Sequence, residues 1–96
     1  MIIIAGQLHV APGDRKRYLA ATADVARLAR EAAGCHDFVQ AADPLDAGRI
    51  NIYERWESDE DLARFRGEEG ERSDGDLPPL QGADVRKYRI SGVEDA

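Results

Sequence analysis

Short stretches of alternating or mostly apolar residues predict four β-strands in this chain. The clearest alternation has a period of two and ends at the only tryptophan, so that Ile50, Ile52, Glu54 and Trp56 share one face. One carboxylate is therefore expected to point where two isoleucines and an indole point. The four predicted strands are 2–10, 35–42, 49–56 and 83–91.

Two other stretches place apolar residues mostly three and four positions apart, which predicts amphipathic helices. The first helix is predicted over 15–33, with Gly34 just past its last apolar position. The second follows Ser58, whose hydroxyl can accept a hydrogen bond from the first turn, and begins at Asp59. Because glycines and two prolines follow, this helix is predicted to end near Arg66 and to give way to a loop.

The predicted order is β-α-β-β-α-β, which is the ferredoxin-like arrangement of the α+β class: a four-stranded antiparallel sheet with two helices on one face. The first half of strand 2–10 is apolar on both faces, because Ile2 and Ile4 share one face while Ile3 and Ala5 share the other. A second copy packed on the open face would cover them, so a homodimer through the sheet face is expected. One domain over 1–91 and a frayed tail over 92–96 complete this prediction.

Composition narrows the possible partners. The chain has 96 residues, 43% of them hydrophobic, which is typical of one small globular domain. No apolar run approaches membrane-spanning length and the N-terminus does not resemble a signal peptide, so we expect a cytoplasmic protein that does not bind membranes. The net charge of −6 disfavours nucleic acid. Cys35, His9 and His36 have no spacing that resembles a metal site, so none is expected.

Charge is concentrated in one segment. Nine acidic and three basic residues between 57 and 76 account for the whole net charge of −6. Such a run is usually a solvated helix face. Because Gly67, Gly70 and Gly75 lower its helix propensity, a mobile acidic lid is the alternative.

Five short segments, in this order and spacing, resemble the antibiotic biosynthesis monooxygenase family. They are Val10-Ala11-Pro12-Gly13-Asp14, Gly34-Cys35, Asp43-Pro44, Tyr53-Glu54-Arg55-Trp56-Glu57-Ser58 and Val85-Arg86-Lys87-Tyr88. The resemblance extends from Ile2 to about Ile90 and implies a dimeric α+β barrel. It implies a fold more strongly than a reaction.

Members of that family include oxygenases that oxidise anthrones or quinols with O₂ without metal or flavin, and enzymes that degrade haem. The resemblance therefore implies that no cofactor is needed. The residues that bind haem in the degrading branch align with Gly6, Phe65 and roughly Gly75, and none of them matches. The polar partners of the tryptophan in anthrone-oxidising members correspond here to Ile52 and Leu62, so only Trp56 carries over.

Two residues are candidates for proton transfer. A carboxylate at Glu54 that faces apolar neighbours would have its pKa raised towards values useful to a general base. The alternative is that Glu54 pairs with an arginine or a backbone donor. His36 is the second candidate, since its ordinary pKa suits proton transfer near neutrality, with a surface or capping role as its alternative.

Trp56 is expected to be either the wall of a ligand pocket or a core aromatic. If a pocket is present, its other candidate substrate-binding side chains are Phe65, Phe38, Ile52 and Leu62.

Two functions remain at this point. The first is a cofactor-independent monooxygenase that acts on a small electron-rich aromatic of anthrone, quinol or polyketide type, with Glu54 or His36 as proton acceptor. The second is a non-catalytic dimeric barrel that binds an aromatic metabolite or assists a pathway enzyme. The apolar residues around Trp56 favour the second function more than the resemblance suggests.

Overall fold

A computed structural model describes the backbone of residues 1–72 and 77–96, and the side chains of the same residues except 69–72. Four strands pair antiparallel in the order β2-β3-β1-β4, with the helices packed on one face. The predicted ferredoxin-like α+β fold is confirmed. The elements are β1 (Ile2–Val10), α1 (Arg15–Ala21), α2 (Ala23–Glu31), β2 (Cys35–Ala42), β3 (Arg49–Trp56), α3 (Asp59–Arg72) and β4 (Leu80–Arg89).

The first predicted helix is two helices, which corrects the single helix expected over 15–33. The helix is interrupted at Thr22, where the backbone leaves the helical region with φ −104° and ψ 5°. The Thr22 hydroxyl donates to the carbonyl of Tyr18 over 3.0 Å, and this type of back-bonding bends helices. α1 and α2 therefore pack on different parts of the sheet.

The second predicted helix, which is α3 in the structure, is longer than expected. Strand β4 begins at Leu80, before the predicted start at residue 83. Helix α3 continues to Arg72 rather than stopping near Arg66. Gly67 has no other atom near its Cβ position and costs the helix about 1 kcal/mol relative to alanine, which lowers helix stability without ending it. Ser58 caps α3 as predicted, accepting a hydrogen bond from the Asp61 N–H at 3.2 Å. The proposed acidic lid over 57–76 falls partly on residues outside the described part of the chain.

The core beneath the helices consists of two separate clusters of buried side chains. The first, called here the aromatic cluster, is covered by α2 and α3; its members are Ile2, Ile4, Ala29, Phe38, Trp56, Leu62 and Phe65. The second, called here the tyrosine cluster, is covered by α1; its members are Val10, Tyr18, Ile50 and Ile52. Strands β1 and β3 pass through both clusters.

Strand β4 approaches β1 closely at Gly6. A Cβ at this position would collide with the backbone carbonyl of Asp84, and Gly6 has φ +150°, which other residues rarely adopt. Glycine therefore allows β4 to pair with β1.

The sheet face opposite the helices carries a mixed apolar and charged surface. On this face, Ile3 of β1 pairs with Tyr88 of β4, and Ala5 of β1 pairs with Tyr53 of β3. Tyr88 is 50% exposed in the single chain. The predicted second copy would pack here. Over residues 1–72 and 77–96, no helix is both long and apolar enough to cross a bilayer.

Candidate functional site

Glu54 and Trp56 form a buried hydrogen-bonded pair on the helix side of β3. The indole Nε1–H of Trp56 donates to Oε1 of Glu54 over 3.0 Å. The exposed fraction is 9% for Glu54 and 0% for Trp56. The pairing arises because residues two apart in a strand point to the same face. The predicted alternative partner of Glu54 was an arginine or a backbone donor, but the donor is the indole.

The indole lies in a packed aromatic group. The rings of Trp56 and Phe65 have centroids 5.4 Å apart, and those of Phe38 and Phe65 are 6.2 Å apart in an edge-on arrangement. Leu62 is buried in the same aromatic cluster, whereas Ile52 belongs to the tyrosine cluster. Four of the five predicted substrate-binding side chains are thus together, and Ile52 lies on the other side of Glu54.

The environment of Glu54 favours its neutral form. Burial raises the pKa of its carboxyl above the ordinary value, and the hydrogen bond from Trp56 and the positive charge of Arg66 offset this only in part. Among the described residues, no cationic group forms a salt bridge with this carboxylate. A carboxyl with a raised pKa holds its proton more readily than an ordinary glutamate does, which suits it better to general acid–base chemistry.

Three residues without a large apolar side chain lie where the two core clusters meet, around Ile52, which pairs with two of them. On the helix side of the sheet, Gly6 lies between the cluster residues of β1, and Glu54 lies between those of β3. Gln40 shares the face of Phe38 and occupies the next inward position on β2. In the helical layer, Thr22 lies between α1 and α2. Gly6, Glu54 and Gln40 are called the seam below.

His36 lies apart from the seam and from the indole. The β2–β3 register shifts between Cys35 and Asp37, so His36 is the extra residue of a bulge. Simple strand alternation would place His36 on the same face as Phe38, and the bulge breaks that alternation. Its Nε2 is 2.7 Å from Oε2 of Glu57, and its side chain is 37% exposed. The structure does not bring it together with Glu54.

A shallow groove opens between the end of α2 and α3. Its volume is about 130 Å³, and it reaches the aromatic cluster through Phe65. Trp56 and Glu54 do not line it. The lining residues are Ala32, Ala33, Asp61, Arg64, Phe65 and Glu68.

The described residues contain no group of three or more metal-ligating side chains. Cys35 is a free thiol whose pKa is raised, first by burial and then by the nearby charge of Glu54.

Sequence reasoning missed Gln40. Its Oε1 atom is shielded from solvent and has no hydrogen-bond partner in the described structure. The signal was present, because Gln40 has the same strand parity as Phe38. Nothing in the sequence, however, showed that β2 would place it beside Glu54.

Comparisons with known proteins agree with this architecture. Residues 1–70 match the model of the family described as antibiotic biosynthesis monooxygenase. No curated protein matches the chain. Several solved structures share its fold.

A Deinococcus radiodurans protein described as a putative antibiotic biosynthesis monooxygenase superposes with a TM-score of 0.76 at 13% identity, covering 100% of this chain and 98% of that one. A Pseudomonas aeruginosa protein has a TM-score of 0.72 at 23% identity, with 94% and 93% coverage. A Mycobacterium tuberculosis haem degrader, with two haems in its active site, has a TM-score of 0.71 at 15% identity, with 99% and 100% coverage.

Proposed function

The chain belongs to the antibiotic biosynthesis monooxygenase family, and we propose from that premise that it oxidises a small electron-rich aromatic with O₂, using Glu54 as the proton acceptor. The observation that carries this proposal is the buried carboxylate of Glu54, which is held by a neutral indole 3.0 Å away. No cofactor bound to the protein is required by the proposed reaction.

The proposed chemistry converts an activated CH₂ of an anthrone-type ring to a carbonyl. Glu54 takes a proton from the CH₂ group, and the carbanion transfers one electron to O₂, giving a substrate radical and superoxide. These combine to form the C–O bond of a peroxide anion, which takes the proton back from Glu54. Loss of water then breaks the O–O bond and the second C–H bond, so substrate and O₂ give the carbonyl product and one water.

Glu54 is suited to both proton transfers. Its raised pKa brings it closer to the neutral pH at which a general base both accepts and returns a proton effectively. The indole occupies Oε1, and among the described residues nothing donates to Oε2. We propose that Oε2 is the atom that faces the substrate.

The predicted apolar residues divide the remaining work. Trp56, Phe65, Phe38 and Leu62 would form one apolar wall, because they pack in one cluster and Trp56 is hydrogen-bonded to Glu54. Ile52 would form the opposite wall, because it belongs to the other cluster. In a reaction without a cofactor, the protein contributes by orienting the substrate and by excluding water from the site.

A non-catalytic role is the second candidate. Trp56 is fully buried and Phe65 is 5% exposed, so the indole presents no open surface in the described structure. His36, the other predicted acid or base, lies away from Glu54. These two observations count against catalysis beside Trp56 and favour the second candidate, of which a dimeric barrel that assists a pathway enzyme fits the closed packing better than one that binds an aromatic metabolite.

Oxygen consumption tests the choice. We expect wild-type protein to consume O₂ with at least one member of an anthrone and hydroquinone panel, and Glu54→Gln to lower that rate by a factor of about 10² or more. Glu31→Gln, an exposed glutamate at the end of α2, is the matched control and should keep the rate. An unchanged rate in Glu54→Gln would show that Glu54 is not the base. Quenching of Trp56 fluorescence without O₂ uptake would support the binding role.

A further inference from the structure

Gln40 is a polar residue that the fold places at the seam without a protein partner. Its Oε1 is shielded from solvent and accepts no hydrogen bond from any described residue. A buried amide oxygen without a donor costs free energy, and most such atoms in folded proteins are paired. The unpaired amide oxygen of Gln40 is therefore a candidate for accepting a hydrogen bond from a bound ligand.

The register shows which residues surround Gln40. It pairs directly with Ile52 and lies diagonal to Glu54, which pairs with Phe38. Diagonal neighbours on one face of an antiparallel pair lie about 7–8 Å apart at Cα, within reach of two long side chains. Ile52 also pairs with Gly6 on its β1 side, and because Gly6 has no side chain, β1 places no side chain diagonal to Glu54 at that position.

The two polar groups differ in what they accept. Glu54 already receives the indole N–H on one oxygen, whereas Gln40 has a free acceptor. A ligand lying across the seam could therefore give a proton to Glu54 at one point and donate a hydrogen bond to Gln40 at another.

We propose that Gln40 is a substrate-binding residue that accepts a hydrogen bond from a ring hydroxyl of the substrate, so that the site selects aromatics carrying a free hydroxyl besides the position that Glu54 deprotonates. This inference rests on the function proposed above. To the proposed oxidation it adds Gln40 as the residue that binds a ring hydroxyl and so orients the ring relative to Glu54.

Selectivity follows from the unpaired acceptor. A hydroxylated ring pairs with Gln40 Oε1, whereas a methoxy group in the same place has no hydrogen to donate and leaves the buried oxygen unpaired. Sites built in this way discriminate strongly against the analogue that lacks the donor.

The test compares two ligands on three variants. The ligands are 2,7-dihydroxyanthrone, whose hydroxyls cannot reach the ring carbonyl, and its dimethyl ether, and binding is followed by quenching of Trp56, the only tryptophan. Gln40→Met keeps the length of the side chain but removes the amide, and Gln40→Leu is a second variant in case the first does not fold. Gln81→Leu changes an exposed glutamine on β4 and is the matched control.

We expect both Gln40 variants to weaken binding of the dihydroxy compound at least tenfold, to leave binding of the ether within twofold, and to raise the urea midpoint. Gln81→Leu should bind both ligands as wild type does. Equal weakening of both ligands together with a lower urea midpoint would show that Gln40 is a packing residue, and unchanged binding would also overturn the proposal.

The wild-type measurements separate this inference from the proposed function. If wild-type protein neither binds nor consumes O₂ with any member of the anthrone and hydroquinone panel, the proposed function fails and the role of Gln40 fails with it. If wild-type protein is active and the Gln40 variants match it on both ligands, only the role of Gln40 is wrong.

Discussion

The indole Nε1 of Trp56 lies 3.0 Å from Oε1 of Glu54, two residues away on the same face of β3. The indole can only donate a hydrogen bond and carries no charge. It therefore stabilises the carboxylate without neutralising it. The pKa of Glu54 stays raised because burial is the larger effect.

Removal of this donor should raise the pKa of Glu54 further. Trp56→Phe keeps an aromatic ring in the cluster but takes away the N–H that favours the charged carboxylate. We expect the acidic limb of the pH–rate profile to move to higher pH, and the free energy of unfolding at neutral pH to fall by about 1–3 kcal/mol. Denaturant titration and O₂ uptake across pH measure the two effects. A limb that moves to lower pH would contradict this account of the pair.

Glu54 should make the protein less stable as pH rises. Its folded-state pKa is above the unfolded value, so the contribution of this group is full below about pH 4.3 and is lost as pH rises through the folded-state pKa. Glu54→Gln does not titrate. The difference in unfolding free energy between variant and wild type should therefore grow in favour of the variant over that window. Urea titrations at several pH values check this, and a difference independent of pH would refute it.

Asp59 should have the opposite effect on the pH dependence of stability: its contribution is lost as pH falls. It accepts hydrogen bonds from Arg89 at 2.6 Å and Lys87 at 2.8 Å, which joins the start of α3 to β4 and lowers the Asp59 pKa to about 2. Its contribution is present above about pH 3.9 and is lost as pH falls towards 2. Asp59→Asn should lower the urea midpoint at pH 7, and less so in 1 M NaCl, because these groups are exposed.

The neighbouring glutamate is the control for Asp59. Glu60→Gln removes an exposed acid from the same first turn of α3 and should leave the midpoint nearly unchanged. Equal losses in Asp59→Asn and Glu60→Gln would assign the effect to the helix dipole instead of the contacts with β4.

Two glycines should respond oppositely to alanine. Gly6→Ala places a methyl group against the Asp84 carbonyl, so we expect a loss of more than about 2 kcal/mol in unfolding free energy. Gly67→Ala has open space in an α-helix and should gain about 0.5–1 kcal/mol. Chemical denaturation of both variants decides, and a tolerated Gly6→Ala would mean that β4 can shift along β1.

The open sheet face should hold a second copy of the chain. We expect sedimentation velocity at micromolar concentration to show a dimer, because Ile3 and Tyr88 leave apolar surface on this face. Tyr88→Glu should shift the protein towards monomer. Leu45→Glu, at a 95% exposed position in the β2–β3 connection, should remain dimeric. A wild-type monomer would overturn the predicted homodimer.

Local pattern predicted most of the fold. Strands β2 and β3 have the predicted bounds because strand parity and turn residues are properties of short sequence stretches. The shared face of Glu54 and Trp56 was predicted for the same reason. The break at Thr22 was not, because apolar spacing continues through it and the bend depends on a buried hydroxyl bonding to Tyr18.

The sequence by itself determined the order of elements, the helix cap at Ser58 and a carboxylate that faces the core beside the indole. Only the tertiary structure decided that the indole is the partner of Glu54, that a bulge places His36 elsewhere, and that Gln40 joins Glu54 at the seam. The physical reason is the distance along the chain over which each interaction acts. Side-chain periodicity is set by neighbouring residues, whereas the partners of a buried polar group are set by strand register and by the packing of separate clusters.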